Sequence, residues 1–146
     1  MNRKVINILF LLFWVKFNYA QTQYEVGKKM DKVISDLGTN YTKYQDADGY
    51  DVLFYTIDVY NDALGFGTFS QSIYLHFDKN ICIGLDMTYP IEAVDHFELS
   101  YNNQFPRLSD NEWRSREGIY FILDRKEELV IVSIQNSEYY EKMHKK

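Results

Sequence analysis

The sequence predicts an α+β fold: a single antiparallel sheet of about five strands with two helices on one face, in the order α-β-β-β-α-β-β. Three observations carry this reading. Residues 71–88 alternate apolar and polar side chains on both arms of a polar turn, as a half-buried β-hairpin does. Residues 118–135 form a second hairpin around Arg125 to Glu128, with Ile119, Phe121 and Leu123 on one face of its first arm and a nearly all-apolar second arm. The stretches 24–37 and 90–103 space apolar residues three and four apart, which is one face of a helix.

Residues 1–20 stand outside this fold. Arg3 and Lys4 precede an apolar run from Val5 to Val15, and Ala20 offers a small residue for cleavage before polar Gln21-Thr22-Gln23. That is the anatomy of a secretory signal peptide. The run falls short of the roughly 20 apolar residues that span a bilayer. The single cysteine, Cys82, lies far from the cleavage point. This argues against a lipid-anchored N-terminus and rules out an internal disulfide. The expectation is a leader over 1–20 and one α+β domain over 21–146, in the periplasm or outside the cell, with no stable membrane anchor after cleavage. Losing Arg3, Lys4 and Lys16 takes the formal charge from −5 to −8. Such a surface argues against nucleic acid, whose phosphates need a basic footprint, and against anionic lipid headgroups.

The elements follow in order. Val26, Met30, Val33 and Leu37 give the first helix its stripe, and Gly38 stands where a left-handed C-cap is commonest. The polar run from Thr39 to Tyr50 ends in the turn signal Asp48-Gly49. Asp46, Asp48 and Asp51 suggest calcium, but an EF-hand register would put Tyr44 and Tyr55 at ligand positions, so a plain turn is expected. A strand covers Asp51 to Tyr60, with Leu53, Tyr55, Ile57 and Val59 on one side and Phe54, Thr56, Asp58 and Tyr60 on the other. Asn61 to Ser70 reads as a loop whose Phe66 is a candidate contact residue; no Lys-Ser/Thr follows its glycines, so it is no phosphate loop.

In the central hairpin Ile73, Leu75 and Phe77 face the core with Ile81, Ile83, Leu85 and Met87, across the turn Asp78-Lys79-Asn80. Pro90 suits a first helical turn, with Thr88 as its cap and Val94, Phe97 and Tyr101 as the stripe. An irregular segment containing Trp113 follows, with a capping-box pattern over Ser109 to Glu112. The second hairpin sets Ile119, Phe121 and Leu123 against Tyr120 and Ile122. Its apolar second arm, Leu129 to Ile134, reads as a central strand or one covered on both faces. The tail from Asn136 reads as one helical turn and a frayed end. The matching spacing of residues 73–79 and 119–125 is better explained by convergence on good hairpin sequence than by duplication.

Gly27, Met30, Val33 and Leu37-Gly38, then Phe54-Tyr55, then Leu75 and Phe77-Asp78 with Ile81, form a pattern over about half the chain. It resembles the α/β unit of β-lactamase-inhibitor-like proteins and the small SmpA-type outer-membrane assembly proteins. Thr39-Asn40 stands where that pattern has Pro, and there is no lipobox. The resemblance implies a binding module of the cell envelope rather than an enzyme.

Candidate chemistry centres on the sheet face turned away from the helices. Phe54, Tyr60, Tyr74, His76 and Tyr120 point there, and with Phe66 and Trp113 they form the expected partner-binding set. Tyrosine offers large apolar area and a polar tip at low entropic cost. A loop or the C-terminal tail covering these rings is the competing reading. The alternatives are a small secreted hydrolase using His76 with Asp58 or Asp86, and a glycan- or peptide-binding domain on the same rings. No cofactor, metal or catalytic residue is expected, and Cys82 reads as a packing residue rather than a nucleophile.

Overall fold

The structure, a computed structural model, describes residues 25–61 and 67–145. Its elements are α1 (Met30–Leu37), β1 (Thr42–Gln45), β2 (Asp51–Asn61), β3 (Gly67–Asp78), β4 (Ile81–Pro90), a 3-10 turn (Ile91–Ala93) and α2 (Val94–Gln104). There follow β5 (Arg107–Ser109), β6 (Glu112–Arg114), β7 (Tyr120–Arg125), β8 (Leu129–Gln135) and α3 (Ser137–His144). The strands form one antiparallel sheet of eight in the order β1-β2-β3-β4-β8-β7-β6-β5.

This overturns the expected five strands and two helices: the described residues hold eight strands and three α-helices. The additional strands are short. All four residues of β1 and all three of β5 are exposed, so neither carries the apolar alternation by which a strand is recognised. The Ser109–Glu112 stretch expected to start a helical turn is instead the turn joining β5 to β6. The loop expected up to Ser70 gives way at Gly67, where β3 begins its pairing with β2. Residues 1–20, expected to form a leader, and Phe66 lie outside the described residues.

α1 and α2 share one face of the sheet. Met30 and Val33 of α1, with Tyr101 of α2, pack into a core with Leu53, Leu75, Leu85, Phe121, Val132 and Trp113. α1 starts at Met30 rather than Tyr24 because residues 27–29 run beside β4: Gly27 N–H donates to the Cys82 carbonyl at 2.7 Å, and Cys82 N–H donates to that of Lys28 at 2.8 Å. Gly38 ends α1 at φ 97°, with its N–H on the Ile34 carbonyl. Pro90 closes β4 instead of opening a helix, and Thr88 accepts a bond from Ser72 N–H at 3.0 Å rather than capping.

One local irregularity changes a face. Lys79 and Asn80 both have positive φ, as a two-residue type I′ hairpin requires. Beyond that turn the register with β4 shifts between His76 and Phe77, so Phe77 faces Cys82 while His76 faces Gly84. The shift leaves Ile83 as the extra residue of a bulge. Cys82 and Leu85 then both join the helix-side core, and Ile83 turns to the other face, away from the stripe expected for it.

α3 lies on that other face, called outer below. Asn136 caps it, its Oδ1 accepting from Tyr139 N–H at 2.8 Å. Tyr139 forms a second cluster with Ile83 and Tyr50. A Cβ at Gly84 would stand 2.8 Å from the Tyr139 ring, so glycine is what lets the helix seat. The expected frayed end is thus a docked helix of eight residues.

Candidate functional site

α3 divides the outer face into a covered and an open half. At the centre of the covered half is His76. Its Nδ1 lies 3.3 Å from Asp46 Oδ2 and its Nε2 3.1 Å from Asp86 Oδ2. The Tyr139 ring sits above it, with centroids 5.5 Å apart. Asp46 arrives there because the turn after β1 is built on it. Its Oδ1 accepts from Asp48 N–H and Tyr50 N–H, both at 3.0 Å, which leaves Oδ2 for His76. Gly49 completes that turn at φ 85°. The Asp-rich stretch is therefore a turn that aims one carboxylate at a histidine.

Burial works against charge on His76, but the hydrogen bonds and charges of Asp86 and Asp46 outweigh it and its pKa is raised. An imidazolium donating from both nitrogens fits two carboxylate acceptors. So engaged, it has no lone pair for a metal or for accepting a substrate proton. Ser133 Oγ donates to Asp86 Oδ1 rather than to His76, so the group that would activate a serine is not the one holding it. Asp58, the other carboxylate considered for His76, is exposed and accepts instead from Ser70 Oγ at 2.6 Å. Cys82 is fully buried, and burial pushes its thiol up to about 12, far from a reactive thiolate. Among the described residues no three His, Cys, Asp or Glu side chains form a group that could hold a metal.

The rest of α3 seals its half. Tyr140 stacks on Tyr120 at 3.7 Å and 5°, and its hydroxyl donates to Glu112 at 3.1 Å. Lys142 reaches the Tyr50 hydroxyl at 2.6 Å and lies over that ring. Tyr120 does point outward as expected, yet it is buried and cannot serve as an open contact. Trp113 also leaves the expected set. It is fully buried on the helix side, its Nε1 donating to Asn102 Oδ1 at 2.9 Å.

The open half belongs to β1, β2 and β3. Phe54 and Tyr74 are directly opposed in register and stack at 4.8 Å. Tyr44 on β1, opposite Val52, is 42% exposed. Its hydroxyl pKa is raised, first by burial and then by Tyr74 and the carboxylates of Asp46 and Asp86. Tyr44, Tyr74 and the two acids therefore share one neighbourhood. Tyr60 is more exposed still, near the far end of β2. The ring contacts of α3 fall on Tyr50, His76 and Tyr120, whereas Phe54 and Tyr74 meet each other.

Tyr44, Asp46 and Tyr139 were not among the expected site residues. Tyr44 lies on an edge strand without a sequence signal. Asp46 was within reach as an Asx-turn residue two before Asp48. Tyr139 was within reach through the helix signals around it: a capping Asn136, acidic Glu138 in the first turn, and Lys142 and His144 in the last.

No family model, curated protein or solved structure matches the chain. The resemblance to the SmpA-type unit accordingly stands on its residue spacings alone.

Proposed function

We propose that this chain is an exported, non-catalytic binding module that recognises another envelope or secreted protein through the open half of its outer sheet face. The observation that carries the reading is the stacked Phe54–Tyr74 pair beside half-exposed Tyr44, on the part of the face that α3 leaves bare. Rigid aromatic rings with polar tips are the side chains that most often anchor protein interfaces. Asp46 and Asp86 at their margin favour a partner that brings positive charge. Export rests on the leader pattern of residues 1–20. The hydrolase alternative has less support, because both nitrogens of His76 face carboxylates. A glycan or peptide ligand on the same rings is the nearer rival.

The test replaces Tyr44 with photoreactive p-benzoylphenylalanine in the cells that make the protein. Leu99, 62% exposed on α2, is the control position. A discrete protein adduct from position 44 and none from position 99 is expected. No adduct from 44, or the same adduct from both, contradicts the reading.

A further inference from the structure

The two edges of the sheet are built differently. At one end β5 has three residues, follows Pro106, begins with Arg107 and has an irregular register with β6. A short strand, a charge, a proline and an irregularity are the devices that keep an edge from pairing with other chains. At the other end β1 covers β2 only from Asp51 to Phe54. β2 continues to Asn61 and pairs with β3 all the way, in unbroken register. Among the described residues no strand lies along the outer edge of β2 from Tyr55 to Asn61. Those residues include no proline and no bulge, and their one charged side chain is Asp58.

On the other side, β3 pairs with β4 only from Ile73 onward. The segment from Thr56 to Asn61 with Gly67 to Ser72 is thus a two-stranded ribbon reaching beyond the sheet, about 20 Å long at 3.3 Å per residue. Its edge presents backbone N–H and C=O groups in the order an added strand would use. Ile57 and Val59 lie on one face, with Thr56, Asp58 and Tyr60 on the other.

A second copy of the chain is a poor occupant. Two such edges related by a two-fold axis and fully overlapped over residues 55–61 would set the two Asp58 carboxylates opposite each other. Like charges directly opposed destabilise a strand pair. The same carboxylate favours a strand with a cation at that position.

We propose that the edge of β2 from Tyr55 to Asn61 takes an extended segment of another protein as an added antiparallel strand, in line with β1. A lysine or arginine of that segment lies opposite Asp58, with apolar residues beside Ile57 and Val59. The inference rests on the reading of the chain as a protein-binding module and adds where the partner's backbone runs.

The test titrates the full chain with two labelled nine-residue peptides of alternating Thr and Val, one with Lys at its centre and one with Glu. Fluorescence anisotropy reads affinity, and backbone hydrogen exchange reads location. The Lys peptide is expected to bind at least about fivefold tighter than the Glu peptide. Asp58→Lys, an exposed substitution that leaves the core intact, should reverse the preference. New exchange protection should fall within residues 55–61. Equal binding of the two peptides, a preference unmoved by Asp58→Lys, or protection at β5 overturns the proposal. So does self-association of the free chain through this edge, seen as dimerisation with the same protection. Cross-linking from Tyr44 without a peptide preference would sink the strand-addition proposal alone. A peptide preference without cross-linking would sink the aromatic-face reading alone.

Discussion

The two halves of the outer face begin from the same sequence pattern and end in different states. In each, an aromatic residue stands at an outward position of a strand: Tyr120 on β7, Phe54 on β2 and Tyr74 on β3. Tyr120 is buried beneath Tyr140, while Phe54 and Tyr74 stack on each other and stay partly open. The difference is α3, which sits where Gly84 gives it room and His76 gives it a floor. Period-two alternation tells which side of a sheet a residue faces. Whether that side is then covered is decided by an element elsewhere in the chain.

If the covered half is structural, its residues should carry stability. Tyr139→Ala is the largest case. It removes a buried ring packed against Ile83, Tyr50 and His76, and should cost about 3–5 kcal/mol in chemical denaturation. A loss under about 1 kcal/mol would mean that α3 is only loosely seated.

Ile83→Ala should cost about 2–4 kcal/mol, through the α3 cluster rather than through α1. Combined with Tyr139→Ala, its cost should fall well below the sum of the two, because both changes empty one contact. Simple additivity would return Ile83 to the helix side of the sheet.

The His76 clamp gives a smaller effect that depends on pH. Its folded pKa is raised, so its stabilisation is fully present below the unfolded pKa of about 6.5 and is lost as pH rises through the folded value. Denaturation midpoints should fall from pH 6 upward as the imidazole loses a proton and one carboxylate contact. His76→Gln should flatten that dependence. An unchanged slope in the variant would assign it to other groups.

Much of this division was within reach of the sequence, and the remainder was hidden for physical reasons. The central hairpin is legible because one face of β3 is the more deeply buried, so Leu75 and Phe77 alternate with Tyr74, His76 and Asp78. β1 was not legible because an exposed edge strand has no buried side to mark. The bulge at His76 was not legible either: an extra residue preserves composition while moving Ile83 across the sheet. Trp113 reads as a contact residue in a loop because its strand is three residues long, too short to show an alternation that would mark it as core. His76 could be placed on the outer face by parity alone, but Asp46 could reach it only through a turn thirty residues away.

The central claim is that the open half serves a partner while the covered half serves the fold. The most direct measurement compares Tyr74→Ala with Tyr139→Ala for both folding stability and affinity for the protein captured by cross-linking from Tyr44. Tyr74→Ala should weaken binding at least about tenfold, while stability falls by about 1 kcal/mol, the worth of one stacked cross-strand pair. Tyr139→Ala should do the reverse, with its folded fraction binding as tightly as the parent. If Tyr74→Ala unfolds the domain, or binds the partner undiminished, the open half is not a recognition surface.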